Sequence, residues 1–280
     1  MKRAARRFAP LVGVLIAWTT AVAAADPVQT TFALTANLLD GKHQTSDFPA
    51  DQLHFVPLPL AELTFSRHND AIRIEGLPPV SFHYGSAGDG AQSTQLSIIN
   101  ATYRRSFRGG WFVGGGETLY NQSTNYINVP GFVYERAGSI YPLVGSERQY
   151  SRVAGLRYEI GKVTTFGRAH DRIEAWAAFN PKMHGVQYTS IPTTGETTCS
   201  FNGGLLGTCT TATRTLTFAD PENATQLDLS VRIVHRIGRY GELMYGVRYL
   251  NYGAHYDDLP GELADRNVGI APLIGYRIRL

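Results

Sequence analysis

The charged residues of this chain recur where apolar and polar side chains alternate. Glu62, Arg73, Glu75, Arg104, Glu117, Arg157, Glu159, Glu174, Asp228, Arg232 and Arg248 all occupy such positions. Acids and bases nearly balance in this set. The chemistry it offers is mutual ion pairing in an enclosed space, or a narrow polar path for a small solute. A second group could activate water. His255 precedes Asp257 and Asp258, and His83 precedes Asp89. A histidine beside carboxylates can act as a general base. His255 with its two acids could also hold a divalent cation, although two or three hard ligands in a loop are no metal signature. The plain alternative is a set of solvated loop residues. His255, Asp257 and Asp258 are the catalytic candidates; no metal and no cofactor is expected.

The only cysteines are Cys199 and Cys209, with Gly203, Gly204 and Gly207 between them. In an exported protein such a pair is expected to form a disulfide. Closing so short a loop contributes about 2–3 kcal/mol on the chain-entropy argument. Two thiols without a nearby histidine are too few for a metal site.

The elements that must position the charges are strands. From Ile270 the chain places Ile270, Ile274, Tyr276, Ile278 and Leu280 on one face, with Pro272 in one slot; Gly275, Arg277 and Arg279 lie on the other. Period two means a strand with one apolar and one polar face. The same pattern predicts strands over 31–39, 58–67, 71–84, 96–107, 111–120, 150–161, 172–180, 227–233 and 243–249. Arginine inside and apolar residues outside is the arrangement of a transmembrane barrel. On residues 111–120 the reading places Glu117 on the inner face. Connections alternate between short and long, and residues 121–148 and 187–223 are read as long loops. Tyr120, Tyr126, Phe132, Tyr134, Tyr141, Tyr188 and Tyr252 are placed near the outer side, as interface belt or recognition surface.

One hairpin is awkward. Pro57, Pro59, Pro78 and Pro79 cannot donate to a ladder, and a closed barrel has no free edge to accommodate them. Folding about residues 68–69 sets Pro59 opposite Pro78, so pairing is expected to stop there. The same register sets Glu62 opposite Glu75, which is unfavourable unless Arg73 or another cation intervenes.

The N-terminus carries Lys2, Arg3, Arg6 and Arg7, then an apolar stretch, then Ala23-Ala24-Ala25. This reads as a signal peptide over 1–25, leaving a single barrel domain over 26–280. The chain has 26 Lys+Arg and 23 Asp+Glu, a net of +3. The leader holds four of those bases and no acid, so the remainder is slightly acidic. No basic run suggests a nucleic-acid partner. Beyond the leader there is no apolar run of about 18 residues to form a spanning helix.

The segment Gly275-Tyr276-Arg277-Ile278-Arg279-Leu280 resembles the insertion signal of Gram-negative outer-membrane β-barrels: glycine, two residues, hydrophobe, any, hydrophobe. The class prefers a terminal phenylalanine and a polar residue two before the glycine; here these are Leu280 and Leu273. The signal residues are Gly275, Tyr276, Ile278 and Leu280. The resemblance implies the bacterial outer membrane, its lipids as surroundings, and periplasmic chaperones and the barrel-assembly machinery as partners. Omptin-type proteases resemble the chain in strand number and place paired acids and an Asp–His pair at the external mouth, but their spacing is not reproduced. Lipid A deacylases resemble its size class but use a His-x-Ser pair, and none of the eight histidines has Ser two residues later. The expected fold is therefore all-β: an antiparallel transmembrane barrel of ten strands, alternatively eight, with short periplasmic turns and long external loops. The expected role is non-enzymatic, structural or surface-recognition. The alternatives are a narrow channel for small solutes and a hydrolase at the external mouth.

Overall fold

The computed structural model describes residues 27–44, 51–84, 92–126, 133–136, 139–142, 144–167, 171–201, 207–256 and 263–280. Alternating side chains and β-branched or aromatic residues favour extended backbone, and nearly all of these residues are in strands. They are β1 (Gln29–Gln44), β2 (Asp51–Arg67), β3 (Asp70–Tyr84), β4 (Gln92–Ser106), β5 (Trp111–Tyr126), β6 (Val133–Arg136), β7 (Ser139–Pro142), β8 (Glu147–Phe166), β9 (Asp171–Phe201), β10 (Gly207–Ile237), β11 (Gly241–Tyr256) and β12 (Leu263–Arg279). Ten of them close into one antiparallel barrel in the order β1-β12-β11-β10-β9-β8-β5-β4-β3-β2; β6 and β7 form a separate hairpin.

The eight-stranded alternative fails because β1 pairs on both sides. Ala36 meets Ile274 of β12 and Pro59 of β2. The last residue joins the closure, with Leu280 N donating to Thr30 O at 2.9 Å. Closure satisfies the backbone donors and acceptors that hydrocarbon could not.

Consecutive strands are joined at one end by tight turns. Residues 68–69 turn with His68 at a positive φ of 53°. At the β4–β5 turn Gly109 and Gly110 both have φ of 78°, a conformation that favours glycine. At the other end the connections are longer. Residues 187–223, expected to be a loop, are instead mostly a continuation of β9 and β10, each 31 residues long. Threonines support this extension, since their branched side chains suit paired strands. Such strands measure roughly 100 Å, about three times the hydrocarbon thickness of a bilayer, so the hairpin projects far beyond the barrel rim.

Side chains sort by face. Leu156, Ile160, Val231 and Ile274 point outward and are 53–59% exposed. Phe107, Trp111, Phe166 and Tyr240 are exposed around the short-turn rim, as in an interfacial aromatic girdle. The opposite face of each strand turns inward. Gly161 leaves room there for an aromatic ring: a Cβ on it would come within 2.3 Å of Phe112 Cζ.

Pairing is incomplete at one place. The β2–β3 ladder runs from Arg67↔Asp70 only to Ala61↔Gly76. Beyond it β2 continues to pair with β1, and β3 with β4 across a shift between Leu77 and Val80. The interruption lies where the four prolines were expected to end pairing.

Candidate functional site

Period two brings charges from eight strands onto the inner wall. Residues two apart on one strand share a face, so Arg73 stands beside Glu75 and Arg157 beside Glu159. Arg157 Nε donates to Glu159 Oε1 at 2.9 Å. Other partners face each other on paired strands, as Arg232 and Glu174 or Glu242 and Arg277 do, and the rest come from across the barrel, within reach only because it closes.

Two linked groups result. Toward the short turns, Arg232 Nη1 lies 3.1 Å from Glu62 Oε2, and its Nε donates to Glu174 Oε2 at 2.7 Å. Arg277 bonds to Glu62 at 3.3 Å and to Glu174 at 3.0 Å. Arg172 grips Glu242 with two bonds of 2.8 and 2.6 Å. Deeper in the lumen, Arg248 Nη2 lies 2.7 Å from both Glu75 Oε1 and Asp228 Oδ2. Arg157 reaches the same Asp228 at 2.7 Å, and Arg104 reaches Glu159 at 2.7 Å. Arg73 joins the groups through Glu62 at 2.9 Å and a close bond to Glu75. Arg157 and Asp228 are both 0% exposed.

Trp176 is the apolar centre of this layer. The guanidinium carbons of Arg73, Arg232 and Arg104 lie 4.8, 4.7 and 5.6 Å from its ring centroid. Arg104 also covers Phe112 at 4.6 Å. Cations over an aromatic face are attracted by its quadrupole, more strongly when desolvated. Removing these charges from water is costly, and the compensation is geometric: charge-assisted bonds at short distance in a water-poor space.

The network stands between two cavities. A polar vestibule of about 250 Å³ opens toward the short turns and is lined by Glu62, Glu174, Arg232, Glu242 and Arg277. On the far side is an apolar chamber of about 50 Å³, whose floor includes Glu75, Arg248 and Asn100. Tyr120 and Tyr252 stack there with ring centroids 3.9 Å apart and planes 7° from parallel. Both lie away from the short turns, as expected, but they are buried inside the barrel and so belong to neither an interface belt nor a recognition surface. Tyr188 is exposed, and Tyr141 of the β6–β7 hairpin packs against Phe218 at 5.6 Å. Phe132 and the side chains of Tyr126 and Tyr134 lie outside the described residues.

Of the charged set read from the sequence, Glu62, Arg73, Glu75, Arg104, Arg157, Glu159, Glu174, Asp228, Arg232 and Arg248 meet inside. Glu117 does not. It sits on the outer face of β5, between Ala101 of β4 and Leu156 of β8. The reason lies in β5, which carries aromatics on both faces. Phe112 turns inward under Arg104 and Tyr120 against Tyr252, so the other face, with Val113 and Glu117, faces out. Four more participants lie outside that set. Arg277 and Arg279 are on the face of the last strand read as polar, and both bond to Glu242. Arg172 is two residues before Glu174, and Glu242 lies one residue before the predicted strand 243–249, six from Arg248, so extending the alternation reaches both.

His255 is exposed on the outward set of β11, opposite Asn223. Asp257, Asp258, Asp89 and the His83 side chain lie outside the described residues. Cys199 and Cys209 are direct partners in the β9–β10 register, and their side chains lie outside the described residues. Gly275, Tyr276 and Ile278 lie in β12, with Tyr276 and Leu280 exposed outward. Among the described residues, no group of three or more His, Cys, Asp or Glu is arranged to hold a metal.

No protein-family model matches the sequence, and no curated relative matches it. Solved structures match the fold. The outer membrane protease OmpT from Escherichia coli superposes with a TM-score of 0.55 at 7% identity, over 92% of this chain and 99% of that one. The CymD monoaromatic hydrocarbon channel follows with 0.43 and 10%, over 90% and 88%. The beta domain of the Bordetella autotransporter BrkA gives 0.40 and 12%, over 90% and 99%. At these identities the likeness concerns the fold alone: that of the Gram-negative outer-membrane β-barrels.

Proposed function

We propose that this chain is an outer-membrane barrel closed to ions, with a structural or surface-recognition role and no catalytic one. The observation that carries this reading is the arginine–carboxylate network between the vestibule and the chamber. A conducting lumen needs a continuous hydrated path, whereas here each acid is engaged by arginines from several strands. Near balance of sign also argues against a selectivity ring, which would be built from one sign. The apolar outer belt supports placement in a bilayer, and the long β9–β10 hairpin supports recognition beyond it. Residues 1–25 act as an export signal on this reading. Outer-membrane lipids, periplasmic chaperones and the assembly machinery are its biogenesis partners.

Single-channel recording of the purified, folded protein in a planar bilayer tests the proposal. Silence across voltage and salt is the expected result. Reproducible ion-selective steps would overturn it in favour of a narrow channel. A hydrolytic activity lost in His255→Ala would overturn the non-catalytic part instead.

A further inference from the structure

The interruption between β2 and β3 has an outer and an inner side. Pro57, Pro59, Pro78 and Pro79 are exposed on the outer side, beyond the last pair Ala61↔Gly76. Proline lacks the N–H that a ladder needs. The other edge of β2 is intact, with Leu38↔Pro57 and Ala36↔Pro59. The missing pairing is therefore on the β3 side alone, and two lips face each other without a ladder.

Directly behind the lips lies the apolar chamber. Leu58 and Leu77, one on each lip, are both 3% exposed and line it together with Leu39, Leu60, Leu96 and Ile98. The lumen below is charged, and a small barrel needs no apolar void above it. At about 50 Å³, on a scale where one water needs about 10–15 Å³, the chamber has room for one slim chain and none for fused rings. Asn37 also lines it. Its Nδ2 is committed to Leu58 O at 3.0 Å, and among the described residues its buried Oδ1 meets no donor. A buried acceptor without a donor is costly, and a hydroxyl in the chamber would satisfy it.

We infer that the β2–β3 gap is a lateral portal through which one unbranched alkyl chain, bearing a hydrogen-bond donor, passes from the surrounding leaflet into this chamber. The inference rests on the membrane-embedded reading, because only there do the lips open onto hydrocarbon. Two sources share this chemistry: a free long-chain alcohol dissolved in the leaflet, and a hydroxylated acyl chain of a resident lipid.

The test is photolabelling of the full barrel in phosphatidylcholine vesicles, with labelled residues mapped by peptide mass spectrometry. One arm uses octanol carrying a terminal diazirine, and the other a phosphatidylcholine whose acyl chain carries both a hydroxyl and a diazirine. Labelling of Leu58, Leu77 or Leu96 by octanol alone supports a free ligand; labelling there by both supports a resident lipid chain. A Pro59→Cys/Pro78→Cys pair in a Cys199→Ser/Cys209→Ser background ties the lips together. Oxidation should remove inward labelling and reduction should restore it, while outward residues such as Val231 stay labelled. Leu60→Trp, which narrows the portal without a cross-link, should lower inward labelling in the same way. Label confined to outward residues would overturn the proposal, as would inward labelling that persists in both variants. No label on outward residues either would instead overturn the membrane-embedded reading itself.

Discussion

Glu62 and Glu75 lie directly opposite each other across β2 and β3, and a single nitrogen, Arg73 Nη2, bonds to both. Like charges facing across a ladder repel. The register is tolerated because Arg73 shares their face, two residues along β3 from Glu75, while Arg232 donates to both oxygens of Glu62 and Arg248 to the other oxygen of Glu75.

Arg73→Met should therefore leave two buried carboxylates short of a cation. Breaking a buried pair in this way costs about 3–5 kcal/mol. Urea unfolding in lipid vesicles should show a lower midpoint, and adding Glu62→Gln should recover part of the loss. An unchanged midpoint for Arg73→Met would mean that the network does not stabilise the fold.

Trp176 makes a different contribution, because it supports three guanidiniums without accepting a proton or a conventional hydrogen bond from them. Trp176→Phe keeps an aromatic face and should lose little. Trp176→Ala removes ring and packing together, at about 3–5 kcal/mol. The difference between the two unfolding midpoints measures the share that depends on a ring.

The outer face should respond to depth. Val231 pairs with Val247, midway along β11, and is 53% exposed, whereas Tyr240 sits in the β10–β11 turn. Val231→Arg should cost about 2–4 kcal/mol in a bilayer and Tyr240→Arg about 0–1. Equal costs at both positions would argue against a membrane around this belt.

Cys199 and Cys209 oppose each other on the projecting hairpin. Protein purified without reductant should show no free thiol when titrated. Reduction should leave the barrel's unfolding midpoint unchanged, since the bond constrains only the hairpin tip. A free thiol in the unreduced protein would rule out the disulfide.

Alternation of apolar and polar residues determined the ten strands, the outward faces of all but β5, and most of the inward charges. It did so because a strand repeats every two residues whatever surrounds it. The prolines at 57, 59, 78 and 79 likewise determined where a ladder must fail, since the missing donor is a covalent fact. Tertiary structure alone decided the inward face of β5, where both faces are aromatic and only the neighbours Arg104 and Tyr252 distinguish them. It decided that residues 187–223 continue the strands, because a threonine-rich segment is stable as strand only once paired. It also decided which acid meets which arginine. Arg248 and Glu75 are 173 residues apart. Nothing local brings them together; the closure of β1 on β12 and the stagger of the strands set them 2.7 Å apart across the lumen.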